Sequence, residues 1–502
     1  MLKKRSRVLC GLAALLLLCT ACTGTGEETP GAQESPGAQT EAAALTLTLP
    51  YYPNDALNPY FAASAYNRGL SDLFCEPLFR VQADYSAKPV LAASAENRGT
   101  SLFVTLGSGR FPDGSAVTAA DVVYSFTCAK ASGWYASRLA NLSAASAESG
   151  GVTFTLASPD RYAQNLLTFP IVKSGTADAA DSIPAGTGPY VLAADGTLTA
   201  NPARDGAAAA VTLQAVQDEA HLTNALEIGN ISYLFDDFAD GTYTRPAGQA
   251  TFVTMNSLVY LGINGTGVLQ SAGVRTALYY AIDADSLAAS AYRGCAESAA
   301  LPFHPAFCRA NGLASGHKAD TALAADILSR LGFNRFDANG VRTNGTASLA
   351  LTLLVNSENN FRTAAAYAIA AALNEAGFFV TVESVPQDEY LSRIAAGDFT
   401  LYLGEVKLGE NLSLSPFFTA SGAASRGIDQ TLPVVAAYAA FCAGETDAAA
   451  FSEAFLDDMP FVPLCYRAGL AAYSARIQPD FSTAAYSLYG DITLWRAAEA
   501  AK

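Results

Sequence analysis

A regular alternation of helical and strand patterns in the second half of the chain is the feature that most constrains its fold. Three helical patterns, rich in Ala and Leu, are followed by runs of apolar and β-branched residues. The helical patterns cover 319–333, 362–377 and 387–397, and the strand patterns cover 347–355, 378–385 and 399–406. Strands that alternate with helices of this length form βαβ units. The sequence therefore predicts an α/β fold.

The segment FPDGSAVTAADVVYSF, residues 111–126, contains a turn and the start of a helix. Asp113 and Gly114 form a turn pair. Thr118 and Asp121 have the spacing of a capping box, in which side chains satisfy free N–H groups at a helix start. Each of these residues thus has a structural role and none requires a catalytic one.

The N-terminus has the features of an export signal. Basic residues precede a short apolar run that ends in small residues and Cys22. This pattern resembles the lipobox of bacterial lipoproteins, except that Cys19 stands where Leu is usual. We predict a signal peptide over 1–21, lipidation of Cys22, and a flexible tether over 22–44 that holds the body on the extracellular or periplasmic side of the membrane. The alternative is a simple secretory signal with an incidental cysteine.

Composition and charge narrow the possible functions. Hydrophobic residues make up 51% of the 502 residues, as in a globular protein. The 46 acidic residues outnumber the 30 Lys and Arg, which gives a formal net charge of −16. Such a chain does not bind nucleic acid through a basic face.

Six cysteines follow the N-terminal region, and two of them bracket a Pro-rich loop. These are Cys295 and Cys308, which we predict to form a disulfide, since export permits one. His304 lies between them, but the spacing matches no zinc signature. We therefore predict no metal site and no cofactor.

Motifs that carry catalytic chemistry are absent from the sequence. It contains no G-x-S-x-G elbow, no P-loop and no G-x-G-x-x-G, and its acidic residues are scattered. This favours a binding protein over an enzyme. An exported hydrolase that assembles carboxylates from distant segments is the alternative.

Five stretches between residues 45 and 490 occur in a characteristic order. They are LNPYF, FPDGSAVTAADVVYSF, IPAGTGPYVL, VRTALYYAIDADSLAASAYRG and DMPFVPLCYR. Together they resemble the extracellular solute-binding proteins of family 5, which serve peptide and nickel ABC transporters.

The resemblance implies a bilobal periplasmic-binding-protein-like fold of type II, with a subdomain inserted in the first lobe. We expect this division of the chain: lobe I from 45–84, 184–257 and 458–502, the inserted subdomain from 85–183, and lobe II from 258–457. Two chain crossings would form the hinge, and the ligand would bind between the lobes.

The resemblance also implies candidate ligand-binding residues. In peptide-binding relatives the ligand backbone pairs with a loop that here corresponds to Ala63, Ser64, Ala65 and Tyr66. Tyr135 corresponds to a tyrosine that lines the cleft. Ordinary half-buried packing is the alternative role for both tyrosines.

A departure from the family occurs at residues 404–408. Peptide-binding members carry G-W-x-x-D there, and the Asp pairs with the peptide amino group. This chain keeps Gly404 but has Glu405 in place of Trp and Leu408 in place of Asp, with Lys407 between them. We predict that these four residues line the site. Either Glu405 recognises a cationic group or the ligand lacks a free amine; a solvated Glu/Lys pair at a strand end is the remaining possibility.

These observations predict a monomeric substrate-binding protein that delivers a small ligand to an ABC permease and its ATPase. A short peptide is the favoured ligand. The alternatives are a metal chelate, an opine or an oligosaccharide, and a sensor that passes ligand occupancy to a membrane receptor.

Overall fold

The computed structural model describes residues 45–204, 209–243, 248–482, 487–490 and 492–498. The signal peptide, Cys22 and the tether lie outside these residues, so the predictions about them stay predictions. Within the described ranges, no helix combines the length and the apolar character that a membrane crossing requires.

The body contains both strands and helices. The strands are β1 (Leu45–Tyr51), β2 (Phe79–Val81), β3 (Ala87–Pro89), β4 (Ala92–Asn97), β5 (Ser101–Leu106), β6 (Leu142–Glu148), β7 (Gly151–Leu156), β8 (Tyr190–Leu192), β9 (Leu198–Ala200), β10 (Ala209–Ala215), β11 (Tyr233–Asp236), β12 (Gln249–Ile263), β13 (Ala296–Ser298), β14 (Arg335–Phe336), β15 (Arg342–Thr343), β16 (Ala350–Asn356), β17 (Phe379–Val385), β18 (Leu401–Lys407), β19 (Phe461–Tyr473), β20 (Ile477–Gln478) and β21 (Arg496–Ala497). The helices are α1 (Ala65–Gly69), α2 (Ser71–Phe74), α3 (Ala119–Ala131), α4 (Tyr135–Arg138), α5 (Leu222–Glu227), α6 (Ala272–Ala281), α7 (Ala284–Ser290), α8 (Pro305–Ala310), α9 (Thr321–Arg330), α10 (Asn360–Glu375), α11 (Gln387–Ala396), α12 (Ser415–Phe418), α13 (Pro433–Ala443) and α14 (Ala448–Asp458).

The largest sheet has seven strands, ordered β11-β19-β12-β18-β16-β17, with β13 paired to β19. β16 is parallel to both β17 and β18, because α10 and α11 return the chain across the sheet between these strands. The buried face of α10 includes Phe361, Ile369 and Leu373, which recur at helical spacing. The α/β organisation predicted from the alternation over 319–407 is confirmed.

Two long antiparallel strands, β12 and β19, connect the two large parts of the core. Their register shifts between Thr254 and Leu258 and again between Val259 and Tyr260, so the pairing is interrupted twice near the middle of β12. In β12, Leu258 and the buried residues after it belong to a core cluster built mainly from 258–466. In β19, Ala471 belongs to a second cluster built mainly from 47–233 and 471–495.

A second sheet, ordered β4-β5-β7-β6, is antiparallel and is covered by α3. The predicted capping box is present at the start of α3. The Thr118 hydroxyl accepts a hydrogen bond from the Asp121 N–H at 3.3 Å, and the Asp121 carboxylate accepts one from the Thr118 N–H at 2.9 Å. A cap of this kind contributes about 1 kcal/mol. The conspicuous motif at 111–126 is therefore a part of the framework.

The predicted disulfide between Cys295 and Cys308 is wrong, because both residues are buried free thiols. Cys295 follows α7, and its N–H donates to the Tyr292 carbonyl at 2.7 Å. Cys308 lies within α8, and its thiol donates to the Phe303 carbonyl at 3.6 Å. Both side chains pack in the same hydrophobic cluster. The two cysteines are close in sequence, which suggested a disulfide, but in the folded chain each of them forms its own local hydrogen bond and no bond to the other.

We expect the body to unfold at the same temperature with and without a reductant. Burial raises the pKa of Cys295 to about 11 and that of Cys308 to about 12, so neither thiol is reactive in the folded protein. Thiol titration should therefore count Cys295 and Cys308 only after denaturation. A melting temperature that falls with reductant, together with two missing thiols, would contradict the free-thiol assignment.

Candidate functional site

A cavity of about 390 Å³ is bounded by elements from both parts of the core. One side is formed by α1, α2, β2 and α4, and the other by the end of β18 and the residues that follow it. This volume lies within the range of small-ligand sites, about 300–1,000 Å³. The cavity therefore has the position and size of a binding cleft.

Five of the nine predicted site residues line this cavity and four do not. The lining residues are Ser64, Ala65, Tyr66, Tyr135 and Lys407. The four outside its lining are Ala63, Gly404, Glu405 and Leu408.

The loop that leads into α1 uses its own N–H groups internally. The Asp55 carboxylate accepts hydrogen bonds from the N–H groups of Ala63 and Ser64 at 2.9 and 2.8 Å. The Ser64 side chain caps α1 by accepting from the Asn67 N–H at 3.1 Å. The Tyr66 hydroxyl donates to the Phe235 carbonyl at 2.7 Å and accepts from its N–H at 3.0 Å. These groups hold the loop and α1 in place beside the cavity.

Trp134 is surrounded by three cationic side chains. Its ring centroid lies 3.9 Å from Arg68 Cζ, 5.1 Å from Lys407 Nζ and 5.5 Å from Arg138 Cζ. Cations at these distances are attracted to the face of an indole ring. We call Trp134, Arg68, Arg138 and Lys407 the Trp134 cluster. Sequence reasoning missed three of its four members, because they become neighbours only in the folded chain.

Burial and a neighbouring cation disfavour the charged forms of two members of the Trp134 cluster. Desolvation lowers the pKa of Lys407, and Arg138 beside it lowers this pKa further. Desolvation also lowers the pKa of Arg68, and the nearby charge of Arg138 lowers it further. An anionic group in the cavity would favour the charged forms of both side chains.

Glu410 brings a carboxylate to the same wall. Its Oε1 pairs with Arg138, and the side chain is only 4% exposed. Its Oε2 is buried and accepts no hydrogen bond from the described residues. A buried acceptor without a donor costs about 1–3 kcal/mol. Glu410 therefore lies on the cavity wall with one carboxylate oxygen unpaired among the described residues, and its only signal in the sequence is its position near the departure at 404–408.

Glu405 serves the interior of the protein and not the cavity. Its carboxylate accepts from Arg467 Nε at 2.7 Å and from an Arg362 guanidinium nitrogen at 2.9 Å. Burial would raise its pKa, but Arg467 and Arg362 hold the pKa below its ordinary value. The prediction that Glu405 recognises a cationic ligand group is therefore not supported by its position, and the solvated Glu/Lys pair is excluded by its burial.

Gly404 and Leu408 are likewise framework residues. A side chain at Gly404 would lie 2.4 Å from the Tyr260 ring, so only glycine fits there. Leu408 is 6% exposed and donates its N–H to the Asn256 carbonyl at 2.8 Å. Of the departure from the family pattern, only Lys407 reaches the cavity.

Among the residues that the structure describes, no group of three or more His, Cys, Asp and Glu side chains could hold a metal ion. His304 is 5% exposed and its ring packs between those of Tyr85 and Tyr466. Its burial lowers its pKa to about 4, so it is neutral near pH 7.

A cleft of this kind, set beside long strands that connect two parts of a core, is typical of bilobal solute-binding proteins. A sequence profile described as bacterial extracellular solute-binding proteins, family 5 Middle, matches residues 87–424. The chain therefore belongs to bacterial extracellular solute-binding protein family 5. It has the bilobal periplasmic-binding-protein fold of that family, and it is a substrate-binding protein of an ABC importer and not an enzyme.

Several solved structures share this fold. MppA, a periplasmic murein tripeptide-binding protein in an unliganded open form, has a TM-score of 0.69 at 18% identity, over 88% of this chain and 97% of that one. A nickel ABC transporter protein from Bacillus halodurans has a TM-score of 0.69 at 16% identity, over 87% and 96%. An ABC transporter substrate-binding protein from Sinorhizobium meliloti has a TM-score of 0.67 at 19% identity, over 90% and 100%. No curated protein sequence matched.

Proteins of this family are exported and act with an ABC permease on a small ligand. The chain is therefore an exported protein whose partners are an ABC permease and a small ligand.

Proposed function

We propose that the chain captures a short peptide in the 390 Å³ cavity and delivers it to its permease. The observation that carries this proposal is the Trp134 cluster, which gathers Arg68, Arg138 and Lys407 around one ring on the cavity wall. Guanidinium and ammonium groups bind carboxylates through charge-assisted hydrogen bonds. The C-terminal carboxylate of the peptide binds there.

Acidic groups on the cavity wall complete the match to a peptide. Asp72, Glu219 and Asp237 line the cavity in addition to Glu410. Glu410 Oε2 accepts a hydrogen bond from a ligand N–H, which supplies the donor that this buried oxygen lacks among the described residues. A wall that carries charges of both signs suits a zwitterion better than a neutral oligosaccharide.

Delivery requires the two lobes to close on the ligand. We propose that lobe I comprises 45–84, 184–257 and 458–502, that lobe II comprises 258–457, and that 85–183 form the inserted subdomain. The two large hydrophobic clusters support this division, since one draws mainly on 258–466 and the other mainly on 47–233 and 471–495. Ligand contacts on both lobes favour the closed state, which a permease distinguishes from the open one. The protein acts as a monomer.

A metal chelate with several carboxylates is the second candidate ligand, because the same three cations would bind it. Titration with peptides and with chelates, followed by tryptophan fluorescence, shows which of the two kinds of ligand enters the cavity. Trp134 lies on the cavity wall, whereas Trp495, the second tryptophan of the chain, is 2% exposed. Ligand binding should therefore change the fluorescence of Trp134, and Trp134→Phe should remove the change.

The test is a titration of the purified protein with pools of di- to pentapeptides, with nickel and iron chelates, and with sugars. Calorimetry should report binding of a peptide with a free C-terminus, and amidation of that terminus should weaken it. If a chelate binds and no peptide does, the ligand of this cavity is a metal chelate and not a peptide. Turnover of any ligand would contradict the binding role itself.

We further propose that lipidation of Cys22 anchors the protein to the membrane. Cys22→Ser should release the body into the medium or the soluble envelope fraction, because a serine at this position cannot carry the thioether-linked lipid. Fractionation followed by immunoblotting measures this, with Cys19→Ser as the matched control that stays on the membrane. Membrane retention of Cys22→Ser would contradict lipidation at that residue.

A further inference from the structure

A second cavity, of about 510 Å³, is lined by cations although the chain as a whole is acidic. Arg80, Lys88, Arg110 and Arg204 contribute to its lining, and Glu76 is the one acidic residue among the described residues that does so. The formal net charge of the whole chain is −16. A cavity lined by one sign of charge concentrates ions of the opposite sign.

Two of these cations are held opposite each other by the backbone. Arg80 and Lys88 are direct cross-strand partners in the antiparallel pair of β2 and β3. Directly opposite residues project from the same face of such a pair, and like charges in this position are destabilising. Neither side chain has a carboxylate within salt-bridge distance among the described residues. A bound anion would remove this repulsion.

The other two cations are positioned by separate contacts. Arg110 precedes the motif at 111–126, and its guanidinium donates to the Gly114 carbonyl at 2.8 Å. Arg204 pairs with Glu76, whose second carboxylate oxygen accepts from the Thr187 hydroxyl at 3.0 Å. Glu76 is therefore occupied by these two partners, which leaves the remaining three cations facing the cavity without an acidic counterpart there.

We propose that this second cavity binds an anion that carries a phosphate group. Planar guanidinium groups bind phosphate oxygens in pairs, and a phosphate monoester carries close to two negative charges at neutral pH, about −1.5 to −2. Such a charge balances the excess of cations better than a single carboxylate does. The cavity is also larger than inorganic phosphate needs, so a phosphate ester fits it. The site is distinct from the peptide cavity, although Glu76 and Arg80 border both.

Calorimetry tests the proposal with inorganic phosphate and glycerol 1-phosphate as the ligands, at constant ionic strength. The variant is Lys88→Gln with Arg110→Gln, because these residues border only the second cavity. Lys318→Gln is the matched control, since Lys318 is exposed and lines neither cavity. We expect the phosphate compounds to bind the wild type and the control, and the double variant to bind at least tenfold more weakly.

A second arm distinguishes a free phosphate ester from a lipid headgroup. Vesicles of phosphatidylglycerol and of phosphatidylcholine are floated with the full chain carrying Cys22→Ser, so that no lipid on residue 22 holds it to the vesicles. If the protein stays on the phosphatidylglycerol vesicles and the double variant does not, the site binds a lipid headgroup. If the protein binds glycerol 1-phosphate but does not stay on the vesicles, the site binds a free phosphate ester. No binding of either kind overturns the proposal, as does equal weakening in Lys318→Gln, which would indicate charge screening alone. A circular dichroism spectrum and a melting temperature equal to those of the wild type show that the double variant is folded.

Discussion

Replacing Glu405 with Gln is expected to lower the free energy of unfolding by about 3–5 kcal/mol, the usual cost of leaving buried charges without their partner. Glu405 pairs with Arg362 and Arg467, and the side chains of all three residues are at most 19% exposed. Gln keeps the volume but cannot neutralise two guanidinium groups. Urea unfolding followed by circular dichroism measures the loss.

Glu453→Gln is the matched control for this change, because Glu453 is exposed and forms no ion pair among the described residues. Its unfolding free energy should change by less than about 0.5 kcal/mol. If Glu405→Gln is as stable as the wild type but binds the ligand more weakly, Glu405 contacts the ligand and this interpretation is wrong.

The stabilisation by Glu405 should also depend on pH. Because Arg467 and Arg362 hold the pKa of Glu405 below its ordinary value, the folded protein keeps this carboxylate charged where the unfolded chain would protonate it. Its contribution is complete above the ordinary carboxylate pKa and is lost as the pH falls through the lowered one. The stability difference between the wild type and Glu405→Gln should therefore narrow in acid.

Replacing Lys407 with Gln is expected to weaken the binding of a peptide with a free C-terminal carboxylate by about 10- to 150-fold, the range that corresponds to a charge-assisted hydrogen bond of about 1.5–3 kcal/mol. Lys407 Nζ lies 5.1 Å from the centre of the Trp134 ring, on the cavity wall. An amidated peptide should bind the wild type and the variant with similar affinity, because it has no carboxylate to lose. Lys318→Gln should bind both peptides as the wild type does.

The affinity for the free carboxylate should also fall as the pH rises. Desolvation and then Arg138 lower the pKa of Lys407, so its ammonium loses its proton at a lower pH than an ordinary lysine. Calorimetry at several pH values measures this effect, and Lys407→Gln should not show it. If Lys407→Gln weakens the binding of free and amidated peptides equally, the C-terminal carboxylate of the peptide does not bind at Lys407.

The parts of the fold that depend on local periodicity could be predicted from the sequence. The alternation over 319–407 gave β16, α10, β17, α11 and β18, because helical and strand spacing are properties of short segments. The capping box at Thr118 was readable for the same reason, since it involves residues three apart.

The site was harder to predict, because its chemistry depends on residues that are far apart in the chain. Arg68, Trp134 and Lys407 come from α1, the start of α4 and the end of β18, and their spacing in sequence carries no sign of their contact. Glu405 pairs with Arg362 on α10 and Arg467 on β19 and does not line the cavity, and these distant partners cannot be inferred from its neighbours in the sequence. Side chains alternate along a strand, so Lys407 and Glu405 share a face of β18, and only their different neighbours separate their roles.

The free thiols of the body bear on how the protein reaches its working form. All six cysteines among the described residues are unpaired. Maturation of this part of the chain outside the cytoplasm thus forms no native disulfide, and its folding does not wait for thiol oxidation. The same body can be produced in a reducing compartment for the titrations above, and it should hold its fold there because packing and ion pairs, not covalent cross-links, stabilise it.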